Sequence, residues 1–143
     1  MWSNERMPAG YSGTPLKQKL GLQDGFNVVV VNEPAGFRDL LDTGPDEVTF
    51  KASLRGAVDV VIAFVTQEAE LRTRREQMTK AIFPDGAIWV AWPKKASKVP
   101  TDVTEDTVRE VFLPHGLVDN KVCAIDETWS GLRVVWRKEK RKR

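Results

Sequence analysis

Apolar residues come in short, dense blocks separated by polar, turn-forming stretches. Residues 26–31 (Phe-Asn-Val-Val-Val-Val) are apolar on both faces and rich in valine, the pattern of a parallel strand buried between layers. Residues 58–65 repeat it, and so does 87–92, which Pro93 closes. A shorter alternating stretch at 48–50 predicts one more strand. Two further strands are expected at 121–125 and 132–136, joined by the short link 126–131, which implies an antiparallel pair.

Helical spacing appears between these blocks. Thr14-Pro15 predicts a short helix start that Gly21 ends, and 36–42 predicts another short helix. In residues 67–82, with Thr66 as the expected N-cap, Leu71, Met78 and Ile82 share one face. Pro84-Asp85-Gly86 stops that helix. After a polar loop at 94–103, Thr104 caps a last helix. Its apolar face is Val108, Val111 and Phe112, with Glu105 and Asp106 at its positive end.

The order β-α-β, then β-α-β-α-β-β, predicts a three-layer α/β/α domain with a mostly parallel sheet and a C-terminal antiparallel hairpin. In element order this is the class I methyltransferase-like arrangement, a likeness of fold alone. With 143 residues there is room for one domain and a sizeable core. The expected organisation is an irregular segment at 1–13, the α/β domain at 14–136 and a basic tail at 137–143.

Charge changes the picture only at that tail. The net charge is +2. Six of the 22 basic residues and one of the 20 acidic ones lie in 137–143, leaving 16 basic against 19 acidic elsewhere. The body is therefore mildly acidic, and a nucleic-acid partner is expected only through the tail, which reads as a disordered, solubilising end or a phosphate-binding arm. One cysteine and one histidine (Cys123, His115) exclude an internal disulfide and a structural zinc site. No apolar run approaches the roughly 18 residues of a membrane span. Glu5 and Arg6 near the start, without a hydrophobic stretch, argue against a signal peptide. With the unpaired cysteine, these features point to the cytoplasm and to no membrane partner.

Open α/β sheets bind ligands at the carboxyl ends of their strands. The residues following those ends are Asn32-Glu33, Thr66, Trp92 with Lys94-Lys95, and Asp126-Glu127 with Trp129. If these strands are parallel, the nine form one rim of lysines, carboxylates and tryptophans, a candidate site for a small anionic or polar ligand or a partner protein. The plainer alternative is a solvated loop edge whose tryptophans pack the hairpin onto the sheet.

Known chemistries are mostly set aside. The turn after the first strand (Asn32-Glu33-Pro34-Ala35-Gly36-Phe37) has one glycine, and Lys51-Ala52-Ser53 after the second offers no acid for ribose hydroxyls. No cofactor is therefore expected. Cys123 sits in an apolar strand and His115 at a helix end, so they read as a small core residue and a surface cation rather than a nucleophile and base. No catalytic residue can be assigned.

Several longer words add a resemblance. Ala9 to Leu16 with Lys19-Leu20-Gly21, Trp89 to Ser97, Thr101 to Asp106, and Val118 to Leu132 resemble the bacterial domain-of-unknown-function family 3052, over about residues 9–137. The resemblance implies a small cytosolic bacterial protein and brings no catalytic residues. Three readings follow. The first is a non-catalytic binding module using the rim. The second is a small enzyme related to S-adenosylmethionine-dependent methyltransferases with a degenerate cofactor motif. The third is a nucleic-acid-associated protein acting through its tail.

Overall fold

A computed structural model describes residues 14–43 and 47–142. The irregular segment expected at 1–13 and the turn expected at 44–46 lie outside the described residues. Six strands form one sheet: β1 (Asn27–Val31), β2 (Thr49–Phe50), β3 (Val60–Phe64), β4 (Ala87–Pro93), β5 (Leu117–Ala124) and β6 (Trp129–Trp136). Their order is β2-β1-β3-β4-β6-β5. The first four are parallel, and β6 runs antiparallel to both β4 and β5. β5 therefore points the same way as β4, and the carboxyl ends of β1, β3, β4 and β5 share one edge.

The valine-rich blocks become strands because two helical layers bury both of their faces. On one face α3 (Glu68–Ile82) and α4 (Glu105–Phe112) cover Val29, Val61, Ile88, Val90, Leu132 and Val134. The expected stripes carry this packing: Leu71, Met78 and Ile82, then Val108, Val111 and Phe112, are all buried. On the other face α1 (Leu16–Lys19) and α2 (Phe37–Leu41) cover Val28, Val60, Ile62, Phe64 and Trp89. The Trp89 indole is wholly buried and donates to the Leu20 carbonyl at 2.9 Å, tying α1 to the middle of the sheet.

Close approach explains Gly86, where a Cβ would stand 2.8 Å from the Val58 and Asp59 carbonyl oxygens. A side chain there would have to move backbone, which overpacking makes costly.

Several local expectations change. Thr66 does not cap α3. Gln67 is the N-cap and has no side-chain cap bond, while Asp102 reaches over from the next loop and accepts from the Glu68 amide at 2.7 Å. The Thr66 carbonyl instead accepts from the Thr101 hydroxyl. Thr104 does cap α4, in a capping box closed by Thr107. α1 begins with Pro15 rather than Thr14 as N-cap. The hairpin strands are longer than their apolar cores suggested, because β5 and β6 pair along their polar residues as well. Cys123 is half-buried rather than core, and burial pushes its thiol up from the ordinary value. The basic tail is not a loose arm: residues 138–140 form a 3-10 turn, and the Arg141 guanidinium donates to the Trp136 carbonyl at 2.7 Å. Among the described residues no helix is long and apolar enough to cross a membrane.

Candidate functional site

The carboxyl edge of the sheet gathers the β1–α2 turn, the end of β3, the residues after β4 and the β5–β6 turn. Pro93 is paired with Trp129, and the Lys94 amide donates to the Thr128 carbonyl at 2.7 Å. These contacts bring the segment after β4 against the hairpin turn. Asp126 shapes that turn: its Oδ1 accepts from the amides of Thr128 and Trp129, both at 2.8 Å.

Between the hairpin turn and the start of α2 lies a pocket of about 320 Å³, lined by Pro34, Gly36, Phe37 and Leu40 on one side and by Asp126, Glu127 and Thr128 on the other. Aromatic packing supports it from behind. Phe37 meets Phe64 edge-on at 4.9 Å between ring centroids, and Phe64 meets Trp129 edge-on at 5.0 Å. Gly36, in the left-handed region at φ 83°, is the N-cap of α2 and lets the chain turn from β1 into that short helix. An apolar wall with a few convergent polar groups is the usual make-up of a small-molecule site, though this one is at the small end of the range.

The nine rim residues separate in space. Asp126 and Glu127 line the pocket, and Trp129 stands behind it. Glu33 is close by in the chain but pairs with Arg38 at 3.0 Å. Lys94 is half-buried beside the hairpin, and Lys95 is exposed at the start of a 3-10 turn (Lys95–Ser97). Neither lysine lines the pocket. Trp92 turns away into the core beneath α3 and α4. Thr66 is held at the loop 98–103 through its carbonyl. Taking only Asn32 and Glu33 from the turn after β1 as candidates leaves out Pro34, Gly36 and Phe37, which line the pocket. The carboxyl-end rule applied to the whole turn reaches them.

Asn32 occupies a different place, the point where the strand order reverses between β1 and β3. Its amide nitrogen donates to the Phe64 carbonyl at 3.0 Å and to Glu70 of α3 at 2.9 Å. Glu70 also pairs with Arg74 at 3.0 Å. Asn32 and then Arg74 hold the Glu70 carboxyl below the usual glutamate value. A lowered carboxyl stabilises the fold above its unfolded pKa, and that contribution fades as pH falls through the folded value. The stability gap between wild type and Glu70→Gln, followed by urea unfolding, should therefore be largest near neutral pH and close on acidification below about pH 4.3. A gap that stays constant from pH 7 to pH 3 would show that the charge contributes nothing.

No family model matches the chain, and no curated protein does. Solved structures do. An S-adenosylmethionine-dependent methyltransferase from Aquifex aeolicus matches at TM-score 0.58 and 16% identity, over 82% of this chain and 85% of its own. A type 11 methyltransferase, described as putative, from Sulfolobus solfataricus matches at TM-score 0.57 and 11% identity, over 82% and 88%. Magnesium protoporphyrin IX methyltransferase from Synechocystis PCC 6803, solved with bound S-adenosylmethionine, matches at TM-score 0.55 and 11% identity, over 85% and 74%. The fold is that of the class I methyltransferases: a six-stranded mixed sheet, mostly parallel, closed by an antiparallel pair.

The residues at the strand-order reversal do not fit S-adenosylmethionine held across that crevice. Asn32 bridges the gap to the Phe64 carbonyl. The β1–α2 turn has one glycine, Gly36, where a cofactor's phosphate or carboxylate cradle ordinarily draws on several. At the end of β2, where ribose hydroxyls favour an acid, stands Lys51, its ammonium bonded to the Arg55 carbonyl at 2.7 Å.

Proposed function

We propose that the chain is a relative of the S-adenosylmethionine-dependent methyltransferases with a degenerate cofactor motif, and that it holds a small polar, cationic ligand in the pocket between α2 and the β5–β6 turn. The observation that carries this reading is the lining of that pocket, whose charged groups among the described residues are the carboxylates of Asp126 and Glu127. Carboxylates beside apolar surface favour an amine or another organic cation over an anion. The likeness in fold supports kinship with methyltransferases better than it supports an unrelated, non-catalytic binding module. The anionic ligand suggested by Lys94 and Lys95 is less favoured, because those side chains do not line the pocket. Two of the segments that resemble family 3052 border the same edge, and membership of that family is part of this proposal.

Calorimetric titration with small amines (choline, agmatine, spermidine), S-adenosylmethionine and inorganic phosphate tests it. At about 100 times its dissociation constant a bound amine adds about 2.7 kcal/mol of stability, several degrees in Tm. Asp126→Asn keeps the acceptor for the Thr128 and Trp129 amides while removing charge, so it should weaken amine binding and leave the fold intact. The proposal fails if phosphate binds and the amines do not. It fails equally if S-adenosylmethionine saturates the protein and Asn32→Ala leaves that binding unchanged or tighter while Asp126→Asn has no effect.

A further inference from the structure

On the α1 side of β5 and β6, Arg133 is half-buried and Lys121 exposed, and the charged residues described there are cationic. Side chains alternate along β6, so Leu132, Val134 and Trp136 meet the α3–α4 layer while Arg133 points the other way. Arg133 is paired across the sheet with Trp89 on one side and Lys121 on the other. Lys19 at the end of α1, Lys121 and Arg133 line a hollow of about 220 Å³ over Leu20 and Gly21. Arg141 of the folded tail is fastened to the last residue of β6, Trp136, on the same strand as Arg133.

Their polar contacts go to neutral oxygens. Lys19 donates to the Ala124 carbonyl at 2.9 Å, Arg133 to the Asn120 side-chain carbonyl at 3.2 Å, and Arg141 to the Trp136 carbonyl at 2.7 Å. Among the described residues none of the four is in an ion pair with a carboxylate, a state they share with other surface cations such as Lys94 and Lys95; what sets three of them apart is that they line one hollow. Burial pushes the Arg133 guanidinium down from its ordinary value, and the charge of Arg141 pushes the same way. Among the described residues the half-buried Arg133 thus has no carboxylate partner, which a cation withdrawn from water ordinarily carries.

We propose that Lys19, Lys121, Arg133 and Arg141 form a binding surface for the sugar-phosphate backbone of a nucleic acid, built on the sheet face and extended by the anchored tail. Phosphate oxygens would replace the missing carboxylates as partners, with little sequence preference, since the surface offers point charges and forks rather than groups placed to read base edges. A lipid surface fits less well. The large exposed apolar residue of β5, Val122 at 56% exposure, is paired with Leu132 and belongs to the opposite face, so nothing apolar is placed to enter a bilayer here.

The test uses the full chain and fluorescence anisotropy with a labelled 20-nucleotide single-stranded RNA and a 20-base-pair DNA duplex of mixed sequence, from 50 to 300 mM salt. Binding should weaken linearly in log salt. Lys121→Gln with Arg133→Gln should lower the duplex slope by about 2, one unit per lost phosphate contact, and weaken binding to unrelated sequences alike. Because Arg133 is half-buried, Lys19→Gln with Lys121→Gln serves as a second pair and should act the same way. Lys138→Gln with Lys140→Gln, which alters only the outer tail, should cost less than either. The inference is overturned by no binding at 50 mM salt, or by a slope that neither pair changes. It is also overturned if the outer-tail pair alone abolishes binding, or if vesicles containing one-third phosphatidylserine bind while both nucleic acids do not.

Discussion

Replacing Trp89 with alanine is expected to lower stability by about 3–5 kcal/mol, the cost of emptying a large aromatic site in a core. For a domain whose whole stability is about 5–15 kcal/mol, that shift brings the chain close to unfolding at 37 °C. Three contributions meet at this residue. Its ring is fully buried on the α1–α2 face. Its indole nitrogen satisfies the Leu20 carbonyl. It also packs against Gly131, where a Cβ would approach Trp89 Cε3 to 3.2 Å. Trp89→Phe separates the first two, because it keeps most of the apolar area and removes the donor. It should cost about 1–3 kcal/mol for the orphaned carbonyl, plus the unfilled volume. Urea unfolding of the two variants checks this. Both variants lose the hydrogen bond, so the difference between them reads the buried ring; equal losses would mean that the ring contributes nothing beyond that bond, and a loss under 1 kcal/mol for Trp89→Ala would contradict the placement of α1 on the sheet.

Phe64→Ala is expected to cost a similar 3–5 kcal/mol and also to damage the pocket. Phe64 is 2% exposed at the end of β3 and meets both Phe37 and Trp129 edge-on. It thus links the α2 wall of the pocket to the hairpin that carries Asp126 and Glu127. Each edge-on pair contributes about 0.5–1.5 kcal/mol beyond area burial. Phe64→Leu preserves most of the buried volume and loses only that ring geometry, so it should fold stably and bind the amine more weakly. If Phe64→Leu binds the amine as tightly as wild type while Asp126→Asn does not, the carboxylates alone make the site and the aromatic support is dispensable.

The surface charges divide by a simple rule. Pairs such as Glu68–Arg72 and Glu76–Lys80 sit one turn apart on α3 and contribute little individually, because water screens them. Arg133, Lys121, Lys19 and Arg141 come from four separate elements (β6, β5, α1 and the tail) and, among the described residues, form no ion pair with a carboxylate. No local spacing rule detects them. The basic segment 137–143 was legible as charge, yet its attachment through Arg141 to the Trp136 carbonyl depends on β6 ending beside it.

Periodicity determined most of the fold. Valine runs that are apolar on both faces can only be satisfied between two layers, and the stripes of α3 and α4 leave one face to bury. From these the parallel sheet, the two-sided cover and the closing hairpin followed, because burial of apolar surface is a local property of sequence. The candidate site was legible only in outline. The carboxyl-end rule placed Asp126, Glu127 and Trp129 on the edge where the pocket lies, and could not say that Trp92 would turn inward, that Asn32 would reach across to Phe64 and Glu70, or that Lys94 and Lys95 would stand outside the pocket. Those outcomes depend on which face each side chain takes and on how neighbouring strands stagger. Both are fixed by the register of residues as far apart as Ala87 and Val135, and only the assembled sheet supplies it.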